Sequence, residues 1–245
     1  MPKSPPSKQH ASDSRNLILS KVQQGIQDYA RWLQSLRHHP DVHQWETLLC
    51  FQTHWNVRDP DPAAMLERCF HNSQTRRQWH TTHWYPLKMM SAFWVNDPQT
   101  VQWMFEDLFN ETKDAEARIG RFLFGCDALL GDYKAAHPAS VENNHYHGDF
   151  RMIALYLAFR YPDSYAPYDF SVFQTALQRL GARDIPLQND VVRYFKVIRT
   201  LTGFLEKEPA IQAAMQKHLQ PKHHFTGKTL LQAADFCRFL TGNHG

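Results

Sequence analysis

Residues 150–161 carry a helical pattern that is apolar on every side. Phe150, Ile153, Ala154, Leu157 and Tyr161 share one face at a period of 3.6 residues, and Met152, Leu155, Tyr156 and Phe159 cover the other. The only charges are Arg151 and Arg160, near the two ends. A helix of this kind is surrounded by other elements, so the sequence predicts a buried central helix. Asp149 or Asn144 could cap its start, and Pro162 ends it after Tyr161.

The rest of the chain repeats amphipathic helical patterns, and no strand-like alternation of useful length occurs. Asp61-Pro62 and Asp97-Pro98 each place a carboxylate at the N-cap and proline at the first helical position, which predicts two helix starts. Other helical patterns cover about residues 17–36, 45–49, 119–130, 169–180, 187–206, 209–219 and 229–240. The predicted fold is all-α, a compact bundle of about eight to ten helices around the buried central helix.

The domain organisation follows from where these patterns begin and pause. Residues 1–14 are rich in proline, serine and lysine without an apolar period, which predicts a disordered tail. Residues 15–245 are expected to form a single helical domain. If that domain divides into two lobes, the loop at residues 137–143 marks the boundary, because it combines proline, serine and asparagine without an apolar period.

Net charge leaves the type of partner open, whereas cysteine usage and hydropathy indicate the compartment. The net charge is only +3 with neutral histidines, so no global field requires a polyanionic partner. The four cysteines are widely spaced within apolar patterns and are expected to be reduced core thiols. No signal-peptide pattern and no apolar run of membrane-spanning length are present. The sequence therefore predicts a soluble, cytoplasmic protein without membrane contact.

Catalytic signatures are missing from the sequence. No G-x-S-x-G motif occurs, and no cysteine lies in a context that lowers a thiol pKa, which makes acyl transfer an unfavoured interpretation. A GKT triplet ends at Thr229, but the first glycine of a phosphate loop falls on Lys222 and no strand precedes it. Nucleotide binding is therefore not predicted at this triplet.

Two groups of histidines are candidate metal ligands. His145, His147 and Asp149 lie within five residues, and imidazole and carboxylate groups bind zinc or manganese. The alternative is a capped helix start with two polar loop histidines. His80 and His83 lie three residues apart and make half a site, and the alternative for them is packing among neighbouring aromatic side chains.

Basic residues give a candidate nucleic-acid surface. These residues are Arg76 and Arg77 beside Trp79, and Arg193, Lys196 and Arg199 on one predicted helix. The last three recur at three-residue spacing, so they form a basic edge beside an apolar stripe and could contact phosphate. The alternative is a solvated helix face paired with acidic neighbours.

Two segments carry a family resemblance. The run NHYHGDFRMIALYLAFRYPDSYAPYDFSVF and the later LLQAADFCRFL resemble the helical region that precedes the AAA+ motor in McrB-like proteins of modification-dependent restriction systems. The matching positions are Arg160, Tyr161, Pro162, Asp163 and Tyr165, then Leu231, Asp235 and Phe236. Neither a Walker A loop nor a Walker B strand is present. The resemblance implies either the isolated leading domain or a free-standing relative of it, and in the family such leading domains select a target, often DNA carrying modified bases.

Two functional hypotheses follow from these observations. The first is a non-catalytic helical recognition or adaptor module of a prokaryotic defence system, without a cofactor, that contacts DNA or a partner AAA+ ATPase. The second is a metal-dependent hydrolase or nuclease built on His145, His147 and Asp149, helped by His80 or His83, with zinc or manganese bound.

Overall fold

The computed structural model describes residues 17–73, 83–140 and 142–242, and these residues form eleven α-helices without a β-strand. The helices are α1 (Leu19–Ser35), α2 (His43–His54), α3 (Pro62–Cys69), α4 (Pro86–Asn96), α5 (Pro98–Leu108), α6 (Ala115–Ala136), α7 (Arg151–Arg160), α8 (Phe170–Arg179), α9 (Val191–Leu205), α10 (Pro209–His218) and α11 (Leu231–Phe239). The all-α prediction is confirmed. The described helices exceed the predicted number by one because α4 was not among the predicted patterns.

Aspartate caps fix the starts of five of the described helices. Asp61 accepts a hydrogen bond from the Ala64 N–H and Asp97 accepts one from the Thr100 N–H, each at 3.0 Å. Asp114, Asp169 and Asp190 cap α6, α8 and α9 in the same way. The last cap starts α9 four residues later than the predicted residue 187, because the first turn forms where its N–H groups find a carboxylate acceptor.

The central helix is α7, as predicted. All residues from Met152 to Phe159 are buried. Aromatic rings from α2, α5 and α6 and from the end of α3 surround it: Phe51 and Phe70 lie 5.9 and 6.0 Å from Phe159, and Phe105 and Phe122 lie 5.1 and 6.0 Å from Tyr156, between ring centroids. Buried apolar side chains from all eleven helices belong to one core cluster. Division of the domain near residues 137–143 stays a prediction.

The start of α7 differs in detail from the prediction. Phe150 is the N-cap residue and has a left-handed backbone with φ of 63°. Asp149 still serves the first turn, because its Oδ1 accepts a hydrogen bond from the Arg151 N–H at 3.0 Å. Asn144 instead closes the preceding loop by accepting one from the Tyr146 N–H at 2.7 Å. The helix therefore begins after a tight turn, which brings the His145 loop against the core.

The end of α7 follows the prediction. Tyr161 is the C-cap residue, and Pro162 opens a loop that buries Tyr165 and Tyr168. The Leu230 N–H donates to the Pro162 carbonyl at 2.7 Å, which ties the start of α11 to this loop. The aromatic-proline segment therefore acts as packing between the central helix and α8, α9 and α11.

A buried polar network joins α1, the following turn and α11. Asp235 is 1% exposed, accepts a hydrogen bond from the Tyr29 hydroxyl at 2.5 Å, and has His39 Nε2 at 3.1 Å. The Asp41 N–H donates to His39 Nδ1 at 3.1 Å, so the His39 proton lies on Nε2 and points to Asp235. Arg238 lies 3.5 Å from the same carboxylate. Burial alone would raise the pKa of Asp235, but His39, Arg238 and Tyr29 together lower it.

Within the described residues, no helix combines the length and the apolar character that crossing a membrane requires. The predicted tail at residues 1–14 lies outside these residues.

Truncation of the central helix gives a first testable prediction. Leu157 is 0% exposed, so Leu157→Ala is expected to lower the free energy of unfolding by about 2 to 5 kcal/mol through lost apolar contact and a residual cavity. Urea denaturation followed by circular dichroism measures this change. Leu187 is 94% exposed, and Leu187→Ala is the matched control with an expected change within about 0.5 kcal/mol. Equal effects of the two substitutions would contradict the central position of α7.

Candidate metal centre

Three buried side chains meet beside the central helix. Cys126 lies on α6, and His145 and His147 lie in the loop before α7. One ligand atom from each, the Cys126 Sγ and one ring nitrogen of each histidine, lies within 4.8 Å of the other two. Their exposed fractions are 0, 6 and 0%. We call these three residues the thiol-imidazole cluster.

The proton position on His147 is set by the backbone. Its Nδ1 lies 2.6 Å from the His145 carbonyl oxygen, which can only accept, so Nδ1 carries the proton and donates it. The lone pair on Nε2 accepts a hydrogen bond from the Tyr156 hydroxyl at 3.2 Å. Burial, followed by the nearby charge of His145, lowers the pKa of His147 to about 3. His147 is therefore neutral near pH 7, which is the form that binds metals.

His145 has the opposite proton arrangement. Its Nδ1 accepts a hydrogen bond from the His147 N–H at 3.0 Å, so the ring proton lies on Nε2. That Nε2 donates to the Asp127 carboxylate at 3.0 Å. The Asp127 side chain is 66% exposed, so it links the buried imidazole to the protein surface. The backbone and one carboxylate therefore determine which nitrogen of each ring carries the proton.

Cys126 completes the cluster with a buried thiol. Burial and the nearby Asp127 charge raise its pKa, so the metal-free side chain is a protonated thiol. Burial also raises the pKa of Tyr156, whose hydroxyl contacts His147. A bound cation would favour the thiolate, because metal binding releases the thiol proton. The Tyr156 hydroxyl lies at the edge of the same donor group.

The donor types favour zinc over manganese. A thiolate and two imidazoles suit zinc and other borderline cations, whereas manganese prefers oxygen ligands. Zinc bonds of about 2.0 to 2.3 Å in a tetrahedral site place ligand atoms about 3.5 Å apart. The present separations are all within 4.8 Å, so a contraction of at most about 1.3 Å reaches that geometry.

The structure brings only some of the predicted metal ligands together. It brings His145 and His147 together, but the Asp149 carboxylate faces Arg151, with Oδ2 at 2.7 Å from Nε. His83 is exposed, and His80 lies outside the described residues. Sequence reasoning missed Cys126, which lies 19 residues before His145 and whose apolar helical context indicated only a core thiol.

The predicted basic edge is partly held by contacts within the chain. Arg193 donates from Nη1 to the Asp184 carboxylate at 2.8 Å and from Nη2 to the Asp184 carbonyl at 2.7 Å. Arg199 donates to the Ser164 carbonyl at 2.9 Å and remains exposed. Arg76 and Arg77 lie outside the described residues. Contact of this edge with nucleic acid stays a prediction.

A charge-removal experiment tests the nucleic-acid prediction. If Arg193, Lys196 and Arg199 contact phosphate, alanine at each position should weaken binding to all duplex sequences about equally and reduce the salt slope by about one unit. Fluorescence anisotropy over a series of salt concentrations measures both quantities. Unchanged affinity and salt dependence in the triple alanine variant would show that the edge is an ordinary helix face.

Comparison of the chain with protein-family models, with curated proteins and with solved structures finds no match in any of the three. The resemblance to McrB-like proteins stays a prediction, and a functional proposal depends on the chemistry of the site.

Proposed function

We propose that the chain is a non-catalytic helical module that contains a structural transition-metal site, with Zn²⁺ as the best-fitting ion. The observation that carries this proposal is the thiol-imidazole cluster: three donors of the types that zinc prefers, all buried and within 4.8 Å of one another.

The position of the cluster suits a structural ion. Cys126 belongs to the long helix α6, whereas His145 and His147 precede the central helix, so one ion would join two parts of the chain. Catalytic zinc keeps an open coordination position for water or substrate. Here three protein donors leave a fourth position, but all three are buried and the Tyr156 hydroxyl lies against His147. Access of a substrate to the ion is therefore restricted, which favours a structural ion over the hydrolase or nuclease alternative.

The recognition role is the second part of the proposal. The family resemblance of the RYPDSY turn and the LLQAADF segment supports a module that contacts DNA or an AAA+ ATPase. The structure gives both segments a packing role, since Tyr165 is buried and Asp235 belongs to the buried polar network. Of the RYPDSY turn, Arg160 and Asp163 are exposed, so they and the exposed part of the basic edge are the residues available to a partner.

Zinc titration of the metal-free protein tests the metal proposal. Zinc at about 100 times its Kd is expected to stabilise the folded protein by about 2.7 kcal/mol, because it binds the folded state alone. Calorimetry measures the resulting rise in Tm, and elemental analysis should find one zinc ion per chain. Cys126→Ser should abolish this rise in Tm.

The control variant is Cys50→Ser, because Cys50 is a half-buried cysteine outside the cluster. It should keep the full response to zinc. Absence of copurified metal together with an unchanged Tm of the native protein in zinc would overturn the proposal.

A further inference from the structure

The two histidines of the cluster present different ring nitrogens to a bound ion. We propose that the ion is coordinated through Nδ1 of His145 and Nε2 of His147, and that Asp127 is a positioning residue that holds His145 for this purpose. This inference rests on the proposed metal function and deepens it, since it assigns the coordinating atoms and adds Asp127 to the site.

The assignment for His147 follows from its backbone hydrogen bond. Nδ1–H is held by the His145 carbonyl at 2.6 Å, so only Nε2 has a free lone pair to offer a cation. Metal-binding histidines commonly donate their other ring N–H to a carbonyl or a carboxylate, which fixes the ring orientation. The Tyr156 hydroxyl now donates to Nε2 at 3.2 Å, and it would release that nitrogen to the ion.

The assignment for His145 follows from a conflict between donors. Coordination through Nε2 would move the ring proton to Nδ1, where it would face the His147 N–H only 3.0 Å away. Coordination through Nδ1 avoids this conflict, because the ion replaces that N–H as the partner of the lone pair. The Nε2–H then keeps its hydrogen bond to Asp127 at 3.0 Å.

Asp127 therefore occupies the position of an outer carboxylate in a carboxylate-histidine-metal arrangement. Such a carboxylate orients the ring and makes the coordinating nitrogen more basic, and its loss commonly weakens metal binding 10- to 100-fold. Its side chain is 66% exposed, so its replacement is expected to leave the packing of the metal-free core unchanged. An affinity change without a stability change is the signature of a positioning role.

The experiment measures zinc affinity by competition with a chromophoric chelator for the native protein, Asp127→Asn and Asp132→Asn. Asp132 is an exposed carboxylate further along α6 and serves as the matched control. Asp127→Asn is expected to bind zinc about 10- to 100-fold more weakly, with an unchanged Tm of the metal-free protein. Asp132→Asn is expected to bind like the native protein.

A second measurement identifies the coordinating atoms directly. In protein loaded with ¹¹³Cd, NMR coupling between the metal and the ring nitrogens should involve Nδ1 of His145 and Nε2 of His147. Native affinity in Asp127→Asn, or coupling to Nε2 of His145, would overturn the inference while the proposed metal function stands. Failure of the native protein to bind either metal would overturn both.

Discussion

The metal-free protein is expected to lose about 4 to 5 kcal/mol of stability between pH 6.5 and pH 3 through His147 alone. Burial lowers the pKa of this imidazole from 6.5 to about 3. Between these two pH values the unfolded chain binds a proton at His147 and the folded chain does not. Each pH unit in that interval therefore costs roughly 1.4 kcal/mol. Above pH 6.5 the imidazole is neutral in both the folded and the unfolded state, so His147 no longer changes the free energy of unfolding with pH.

Urea denaturation of metal-free protein at pH 6.5, 5.5 and 4.5 measures the upper part of this dependence, an expected loss of about 2 to 3 kcal/mol. The interval above pH 4.5 is informative because the carboxyls with lowered pKa, Asp97, Asp107 and Asp235, lose their contribution only when pH falls through and below about 3.8. His224 also has a pKa lowered by burial and contributes in the same direction. A His224→Gln variant therefore supplies the background for the measurement.

Replacement of the buried imidazole should remove most of this pH dependence. His147→Gln keeps a polar side chain but cannot take up the proton, so its stability should change little between pH 6.5 and 4.5 beyond the background. His54→Gln, at an exposed histidine, should retain the native dependence. A native slope in His147→Gln would show that another group is responsible.

Replacing Asp235 by alanine is expected to lower the free energy of unfolding by about 3 to 5 kcal/mol, the usual effect of removing one partner from a buried charged network. The substitution takes away the acceptor for the Tyr29 hydroxyl and His39 Nε2 and one of two carboxylates near Arg238. Asp41, 3.3 Å from Arg238, then has to balance that charge alone.

A double-mutant cycle with Tyr29→Phe separates the network from simple loss of volume. Because the Tyr29 hydroxyl and Asp235 are in direct contact, the two substitutions should be non-additive by more than about 0.5 kcal/mol. Asp163→Ala, at an exposed carboxylate, should change stability by less than about 0.5 kcal/mol. Additive effects of Tyr29→Phe and Asp235→Ala would contradict a coupled network.

Features set by neighbouring residues could be predicted from the sequence. The Asp61 and Asp97 caps, the all-apolar α7 and its end at Pro162 depend on side chains within one turn of the backbone they contact. The Asp235 network could not be predicted in this way. Its partners Tyr29 and His39 lie 206 and 196 residues away, and no local pattern encodes that contact.

The candidate metal site shows the same division. His145 and His147 belong to one short loop and could be paired from the sequence, whereas Cys126 reaches them only through the packing of α6. Asp149 has the right chemistry and spacing for a metal ligand, but its carboxylate instead accepts a hydrogen bond from Arg151. The two imidazoles could therefore be predicted from their spacing in the sequence, whereas their partner Cys126 could be found only from the tertiary structure.

The left-handed turn before α7 bears on how tightly an ion would bind the cluster. Tyr146 and Phe150, with φ of 62° and 63°, flank His147. The left-handed conformation costs a residue other than glycine about 1 to 2 kcal/mol. The core contacts of Tyr146 and Phe150 hold them in this conformation. The conformational entropy of the loop is therefore lost on folding and not on ion binding. Preorganisation of this kind increases affinity, because the ion does not have to order its own ligands.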